Sequence, residues 1–166
     1  MSEHPTNKKT PTTFALIVTS DTRTEREDDT GRIAVDLIEG DGHRVVSHTI
    51  VPNNDEKIRS EVERMLFDDA VEVIVTSGGT GIGPKDRTIA TIAPLLEMEM
   101  PGFGELFRRL SYDEVGGAAM MSRATAGVSN GKLIFLLPGS RNAVKIALTK
   151  IILPNVGHMQ WELSRK

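Results

Sequence analysis

Val71-Glu-Val-Ile-Val-Thr-Ser-Gly-Gly-Thr-Gly-Ile-Gly-Pro-Lys-Asp-Arg-Thr88 is the stretch that decides the fold. It opens with an apolar, β-branched run that suits a buried strand. Glycines at 78, 79, 81 and 83 follow; they let the backbone adopt positive φ and bring its N–H groups close to a ligand. Thr88 is a predicted helix cap. Because free N–H groups at a helix start point towards a ligand, this strand, loop and helix predict an anion site.

The loop matches neither common phosphate-binding signature. No Lys-Ser or Lys-Thr pair follows its last glycine, and its glycines are not spaced as GxGxxG. A tight strand-to-helix turn without a ligand is the alternative interpretation.

Composition narrows the class of protein. The chain has 166 residues, enough for one domain, with 39% hydrophobic and 26% charged residues, as in soluble globular proteins. We expect a disordered tail over residues 1–12, which lack the apolar core of a signal peptide, and a single domain over 13–166. The lack of cysteine fits a cytoplasmic protein. No apolar run is long enough for a membrane span, and the net charge of −3 argues against general nucleic-acid binding.

Apolar runs alternate with helical periodicities along the chain. Strands are predicted over residues 14–19, 43–51 and 133–137 and at the apolar run 73–75. Residues 122–128 and 133–137 flank a hairpin turn at Asn130-Gly131, and the second of these two segments should be a central strand. Helices are predicted over residues 31–41, 56–69, 88–96, 103–110 and 143–152, with Pro154 ending the last and a short helix after it. The pattern predicts a three-layer α/β fold: a mostly parallel sheet, helices on both faces and a late β-hairpin.

Three polar or glycine-rich segments should meet at the carboxyl ends of the strands, where open sheets of this type bind ligands. They are residues 20–30, 77–88 and 138–142. The pocket is therefore expected between these segments.

Asp86 is the sharpest chemical candidate. A carboxylate beside a phosphate loop suits an Mg²⁺ ion that bridges it to phosphate, and it also suits the first turn of a helix. Lys85, Arg87, Arg123 and Arg141 either pair with phosphate or are solvated, and Glu105 faces the pocket or solvent. The four histidines lack metal-ligand spacing and there is no GxSxG motif, so neither zinc nor covalent catalysis is predicted.

Five motifs carry a family resemblance. The sequence resembles the MoaB/Mog family of molybdenum cofactor biosynthesis proteins. Within that family, residues Met100–Arg108 and Ser111–Arg123 are more similar to MoaB than to Mog. The motifs are Ser20-Asp-Thr-Arg-Thr24 with Asp29-Thr-Gly31, the glycine loop, Met100-Pro-Gly-Phe-Gly-Glu-Leu-Phe-Arg108, Ser122-Arg-Ala124, and Leu137-Pro-Gly-Ser140 with Asn142-Ala-Val144.

The resemblance implies a molybdopterin-binding, Rossmann-like fold and an activity. The activity is Mg²⁺-dependent transfer of AMP from ATP to the terminal phosphate of molybdopterin, by a protein that assembles as a trimer or hexamer. A non-catalytic molybdopterin-binding or carrier module is the alternative. By position, Asp86 would act catalytically through the metal, and the nucleotide or pterin would be bordered by Ser20, Asp29, Ser77, Gly78, Gly79, Thr80, Gly81, Ser122, Arg123, Pro138, Gly139, Ser140 and Asn142.

The turn after the second strand departs from the family pattern. The resemblance implies a catalytic acid there, whereas this chain has Asn53 and Asn54, followed by Asp55. Asn53 can still offer an amide oxygen to Mg²⁺. Asp55 either takes over the role of the acid or caps the next helix.

Overall fold

The computed structural model describes residues 10–165. Most of the predicted tail, residues 1–9, lies outside the described residues. Thr12 was also assigned to the tail, but it is buried and its N–H donates to His43 Nδ1 at 3.1 Å. Thr12 is thus part of the packed structure.

The described residues form one six-stranded sheet in the order β2-β1-β3-β6-β5-β4. Strands β1, β2, β3 and β6 run parallel, and β5 is antiparallel to both β6 and β4. The two-residue β4 was not predicted, because so short a segment has no periodicity to detect. The strands are β1 (Thr13–Thr19), β2 (Arg44–Val51), β3 (Val73–Ser77), β4 (Met98–Glu99), β5 (Thr125–Ser129) and β6 (Lys132–Leu137).

Helices pack on both faces of the sheet. They are α1 (Asp29–Gly40), α2 (Asp55–Leu66), α3 (Thr88–Ile92), α4 (Pro101–Val115), α5 (Arg141–Ile146) and α6 (Leu153–Ser164), with 3₁₀ turns at Ala93–Leu95 and Gly116–Met121. No helix within residues 10–165 is both long and apolar enough to cross a membrane.

The prediction that Pro154 ends a helix was wrong. A π-helical segment, Ala147–Ile152, joins α5 directly to α6, and Pro154 lies in the first turn of α6. Inside a helix, proline lacks the N–H that would form a hydrogen bond, and its ring clashes with the preceding turn. A π-helical turn shifts the backbone locally and so makes room for the proline. Asn155 Nδ2 donates to the Ile151 carbonyl at 2.8 Å, which satisfies one acceptor in this segment.

Alternate side chains of the strands enter two cores. Leu16 packs with α1, α4, α5 and α6 on one face, whereas its neighbour Ile17 packs with α2 and α3 on the other. A strand that is buried on both faces reads as a continuous apolar run, which is why β1, β3 and β6 were visible in the sequence. The three-layer prediction is confirmed.

The hairpin prediction is also confirmed. Asn130 and Gly131 connect β5 to β6 with φ angles of 48° and 71°. Two successive positive φ angles are the geometry of the tight turn that Asn-Gly favours. β6 is central, between β3 and β5.

The chain order places a crevice between β1 and β3. From β1 the chain moves outward to β2 and then returns across β1 to β3. The connections leaving β1 and β3 therefore diverge, and their carboxyl ends leave a crevice of the kind in which open α/β sheets bind ligands. Ser20 and Gly78 are the first residues beyond these two ends.

Candidate functional site

Gly78 and Gly79 are required by the geometry of the glycine loop, which we define as residues 78–87. Their φ angles are +110° and +70°. A Cβ on Gly78 would lie 2.5 Å from the Thr19 carbonyl oxygen, and one on Gly79 would lie 2.3 Å from Thr88 Oγ1. Both positions thus demand glycine for conformation and for space.

The glycine loop presents free donors. The N–H groups of Gly79, Thr80 and Gly81 donate to no acceptor within residues 10–165, whereas Gly78 N–H donates to the Leu137 carbonyl at 2.9 Å. Successive unpaired backbone N–H groups form a concave site for an anion. The loop thus has donors available for an anion, and the anion site itself stays a prediction.

Thr88 does not cap α3, contrary to the prediction. Arg87 occupies the cap position, without a side-chain capping bond. Thr88 is instead fully buried, with its N–H donating to the Gly79 carbonyl at 3.1 Å and its hydroxyl 3.4 Å from that of Thr19. Because α3 has only five residues, the loop N–H groups and not the helix form the site.

Asp86 folds back over the glycine loop. Its Oδ2 accepts the Gly83 N–H at 2.8 Å, and a Cβ on Gly81 or Gly83 would lie within 2.9 Å of the same oxygen. Oδ1 accepts no hydrogen bond from the described residues. The two later glycines therefore make room for a carboxylate that keeps one oxygen open.

Arg123 supports the loop from its carbonyl side. Its Nε donates to Gly81 at 2.8 Å, its Nη2 to Asp86 at 3.0 Å, and its backbone N–H to Thr80 at 2.9 Å, all at carbonyl oxygens. Arg123 therefore binds three carbonyl groups of the loop and fixes the course of its backbone. Lys85 is exposed and forms no ion pair of 4.0 Å or less with a described residue, so its charge is available to a ligand.

The three predicted segments do meet. Arg23 Nη2 and Thr30 Oγ1 both donate to the Gly139 carbonyl, at 3.1 and 3.3 Å. Ser77 Oγ donates to the Pro138 carbonyl at 3.4 Å. A Cβ on Gly139 would lie 3.2 Å from Gly78 Cα, so the backbones of two segments are in contact. The three segments therefore meet as predicted, while the ligand pocket between them stays a prediction.

A cavity of about 170 Å³ adjoins this meeting point, between α4 and α5. Four of the predicted binding residues line it: Ser122, Pro138, Ser140 and Asn142. Ser140 also caps α5 by accepting the Ala143 N–H at 3.2 Å. Glu105 is exposed and does not line the cavity.

Asp29 was predicted to border the ligand, and its neighbour Asp28 was assigned no role. Asp29 is exposed and pairs with Arg32 and, at 3.8 Å, with Arg141. Asp28 is completely buried, accepts the Gly31 N–H at 2.9 Å and lies 2.9 Å from His48 Nε2. Asp28 is the N-cap of α1, and an Asp directly before a helix is the sequence signal for such a cap.

Ser20 stabilises the start of the segment between β1 and α1. Its Oγ accepts the N–H groups of Thr22 at 3.3 Å and Arg23 at 3.1 Å. The oxygen therefore accepts two hydrogen bonds within its own segment, and the O–H group still has a donor to offer.

Most polar groups of the turn after β2 are paired within the protein. Asn54 caps α2 by accepting the Lys57 N–H at 3.0 Å, so the prediction that Asp55 is the cap was wrong. Asp55 pairs through both carboxylate oxygens with Arg87, and the hydrogen bonds from Arg87 lower the pKa of the Asp55 carboxyl. The cap is the residue directly before the helix, which is Asn54, whereas Asp55 is already the first residue of α2.

Asn53 contacts Asp21, a residue for which no role was predicted. Its N–H donates to Asp21 Oδ1 at 2.8 Å, and this bond lowers the pKa of Asp21. The positive charge of Lys85 acts in the same direction. Asn53 Oδ1 is buried and has no hydrogen-bond partner among the described residues. Asp21 thus places negative charge beside the turn in which an acid was expected.

Comparisons with known proteins agree with this architecture. The model of a probable molybdopterin binding domain matches residues 15–158. Molybdenum cofactor biosynthesis protein B of Bacillus cereus is 40% identical over 167 residues, covering 100% of this chain and 99% of the relative. The protein of the same name from Staphylococcus aureus strain MRSA252 is 45% identical over 169 residues, covering 99% of this chain and 100% of the relative.

Solved structures give the same result. A crystal structure of a molybdenum cofactor biosynthesis protein B has a TM-score of 0.91 at 42% identity, covering 95% of this chain and 98% of that one. The tungsten cofactor synthesizing protein MoaB from Pyrococcus furiosus has a TM-score of 0.83 at 38% identity, covering 95% of this chain and 100% of that one. With the sheet order, the glycine loop and these likenesses established, the chain belongs to the MoaB/Mog family of molybdenum cofactor biosynthesis proteins, on the MoaB side.

Proposed function

We propose that this protein transfers AMP from ATP to the terminal phosphate of molybdopterin and releases pyrophosphate. The observation that carries the proposal is the row of free N–H groups at Gly79, Thr80 and Gly81, at the carboxyl end of β3. Backbone donors of this kind hold phosphate oxygens. We infer the second substrate from the family, since the domain that matches this chain is a probable molybdopterin binding domain.

The reaction needs positioning more than acid or base chemistry. An oxygen of the molybdopterin phosphate attacks the α-phosphorus of ATP, a new P–O bond forms, and the bond from the α-phosphorus to the bridging oxygen breaks. Pyrophosphate takes the electron pair with it. The attacking phosphate is already an anion, so holding two phosphates in line supplies most of the rate. The rigid loop glycines and Lys85 suit that task, because they offer fixed donors and one unpaired cation.

Mg²⁺ fits the residues that are present. Asp86 keeps Oδ1 open, and the buried Asn53 Oδ1 has no partner among the described residues. No group of three or more His, Cys, Asp or Glu residues within 10–165 forms a metal cage. Mg²⁺ is commonly held by one or two carboxylates together with substrate phosphates and water. Asp86 is therefore the residue that we assign to hold it, and when bound the ion would neutralise the charge of the phosphates.

A second candidate is a non-catalytic molybdopterin-binding module. The observation that favours it is the turn after β2, where Asn53 is neutral and Asp55 is committed to Arg87. Tight pterin binding without affinity for ATP would support this candidate over the enzyme.

Turnover is the direct test. The full chain is incubated with molybdopterin, ATP labelled at the α-phosphate, and Mg²⁺, and both pyrophosphate and labelled pterin are measured. We expect the two products in equal amounts. Absence of product, while separate titrations show that both substrates bind, would overturn the transferase proposal and leave the binding module.

We also propose that the chain self-associates, as a trimer or a hexamer. The end of α4 and the 3₁₀ turn after it carry large exposed apolar side chains: Tyr112 is 59% exposed, Val115 54% and Met120 82%. Apolar surface of this kind is common where subunits meet. Light scattering on the purified protein measures the mass, and a monomer at micromolar concentration would contradict the proposal.

A further inference from the structure

The cavity between α4 and α5 differs in character from the glycine loop beside it. Its walls are largely apolar, formed by Phe107, Val115, Ala118, Ala143 and Ile146 among others. Flat apolar walls favour the faces of an aromatic ring. At about 170 Å³ the cavity is smaller than the roughly 300–1,000 Å³ of pockets that hold whole ligands. Its size therefore suits a ring system, with the remainder of the ligand outside.

One charge lines this cavity. Among the described residues around it, Glu114 is the only ionisable one, and no Lys or Arg is present. A cavity without cations does not suit a phosphate group. An ionised carboxylate accepts hydrogen bonds and donates none, so this cavity suits a ligand edge that is rich in N–H donors.

Glu114 is held with one oxygen available. Asn142 Nδ2 donates to its Oε2 at 3.3 Å, and Oε1 accepts no hydrogen bond from the described residues. Ser111 lies one helical turn earlier on the same face of α4, lines the cavity, and its hydroxyl has no partner within residues 10–165. Ser111, Glu114 and Asn142 thus provide hydrogen-bond donors and acceptors in a cavity whose other walls are largely apolar.

The segment that follows β6 lies between the cavity and the glycine loop. Pro138 and Ser140 line it, and Gly139 between them touches Gly78 of the glycine loop. A ligand with a ring at one end and a phosphate at the other would reach both places. This arrangement separates recognition of the ring from recognition of the phosphate.

We propose that Glu114 selects the pterin ring by accepting hydrogen bonds from its 2-amino group and its N3–H. This inference rests on the proposed function and names the residue that determines specificity for the ring. The two donors lie side by side, so one carboxylate accepts both, as it does from a guanidinium group. Adenine offers a donor beside an acceptor on the corresponding edge, and that acceptor would face a carboxylate oxygen unfavourably.

The test compares 6-hydroxymethylpterin with lumazine, a pteridine that has an oxygen in place of the 2-amino group. Binding to the full chain is titrated by ligand fluorescence without ATP. Glu114→Gln should weaken pterin binding about 10- to 100-fold, the value of hydrogen bonds to a charged group. Lumazine binding should change little, so the preference of the wild type for pterin should disappear in the variant.

Glu105→Gln is the matched control, because Glu105 is an exposed carboxylate on the same helix and does not line the cavity. It should bind pterin as the wild type does. Equal loss in both variants, equal affinity of the wild type for pterin and lumazine, or absence of saturable pterin binding would each overturn the inference. Guanosine has the same donor edge, and if it binds more tightly than pterin in a Glu114-dependent way, the pterin assignment is wrong.

The outcome is independent of the turnover test. If Glu114→Gln leaves pterin affinity unchanged while pyrophosphate is still produced by the wild type, the role of Glu114 fails and the transferase stands. If pterin selectivity depends on Glu114 but no pyrophosphate forms, the site is established and the transferase fails.

Discussion

The glycine loop and the turn after β2 both follow a parallel strand at the same edge of the sheet, but they are in opposite states. In the loop, three successive N–H groups and one oxygen of Asp86 lack partners within residues 10–165. In the turn, Asn54 caps α2, Asp55 is paired with Arg87, and the Asn53 N–H is bonded to Asp21. Polar groups that a fold leaves unpaired at a rigid position are available to a ligand. The loop therefore offers unpaired polar groups, whereas most polar groups of the turn are paired within the protein.

Gly79→Ala should have the largest effect on this contrast. A side chain there would require φ near +70° and would overlap Thr88 Oγ1 at 2.3 Å, which costs about 1–3 kcal/mol for the backbone alone. We expect ATP affinity to fall more than about 100-fold as the N–H groups move. Gly102→Ala is the control, because nothing lies within 4 Å of its Cβ position. Calorimetric titration with ATP that finds both variants equal would remove the loop from the site.

Asp86→Asn should be second in size. The amide oxygen can still accept the Gly83 N–H, so the loop keeps its shape, but the negative charge is lost. Turnover should fall about 100-fold or more, as when a preorganised charge is removed from a transition state, while pterin affinity stays near that of the wild type. The measurement is pyrophosphate release as Mg²⁺ is varied. An active variant with unchanged Mg²⁺ dependence would contradict the assignment of Asp86.

Asn53→Asp should be third in size, and it adds a negative charge to the turn after β2. The buried Oδ1 without a partner would become a carboxylate oxygen close to Asp21. Two adjacent acids repel each other unless a cation lies between them. We expect the variant to be less stable without Mg²⁺ and to gain about tenfold in turnover with it. Thermal unfolding with and without Mg²⁺ tests the first part, and the same melting temperature in both conditions would contradict it.

Asp55→Asn should have the smallest effect on activity, below about threefold, because its ion pair with Arg87 is exposed. Its effect on stability should depend on pH. The pKa of Asp55 is lowered in the folded state, so its contribution is present above the unfolded value of about 3.9 and is lost as pH falls through the folded value.

Urea unfolding of wild type and Asp55→Asn should therefore differ at neutral pH and converge in acid. Asp36→Asn serves as the control, since Asp36 is exposed and has no ion pair within the described residues. A difference between wild type and Asp55→Asn that grows in acid would contradict the ion pair. A large loss of turnover would return Asp55 to the catalytic residues.

Much of the fold was predictable, because local pattern and global packing agree. The apolar runs of β1, β3 and β6 are buried on both faces, and Asn130-Gly131 adopts the two positive φ angles that its turn requires. The prediction failed where the environment decided the outcome. Pro154 follows a π-helical segment that continues the helix into α6, and a proline read by itself predicts the end of a helix instead.

The aspartates near the site also show that the sequence does not reveal the environment of a side chain. Asp28 and Asp29 are the same residue side by side, yet one is completely buried beside His48 and the other is exposed. The direction of each side chain is set by the start of α1, which no composition or spacing reveals. Asp55 likewise was placed correctly in its turn, but its commitment to Arg87, 32 residues later, depends on how α2 and α3 pack.

The amino-acid sequence by itself determined the parallel α/β architecture, the glycine loop and the three segments that meet at one edge of the sheet. It could do so because hydrophobic periodicity and the conformational freedom of glycine are local properties. Only the tertiary structure decided which polar groups remain free: the N–H groups of the loop, one oxygen of Asp86, and Glu114 beside an apolar cavity. Hydrogen-bond partners come from distant parts of the chain, so whether a group is paired or available depends on the folded structure.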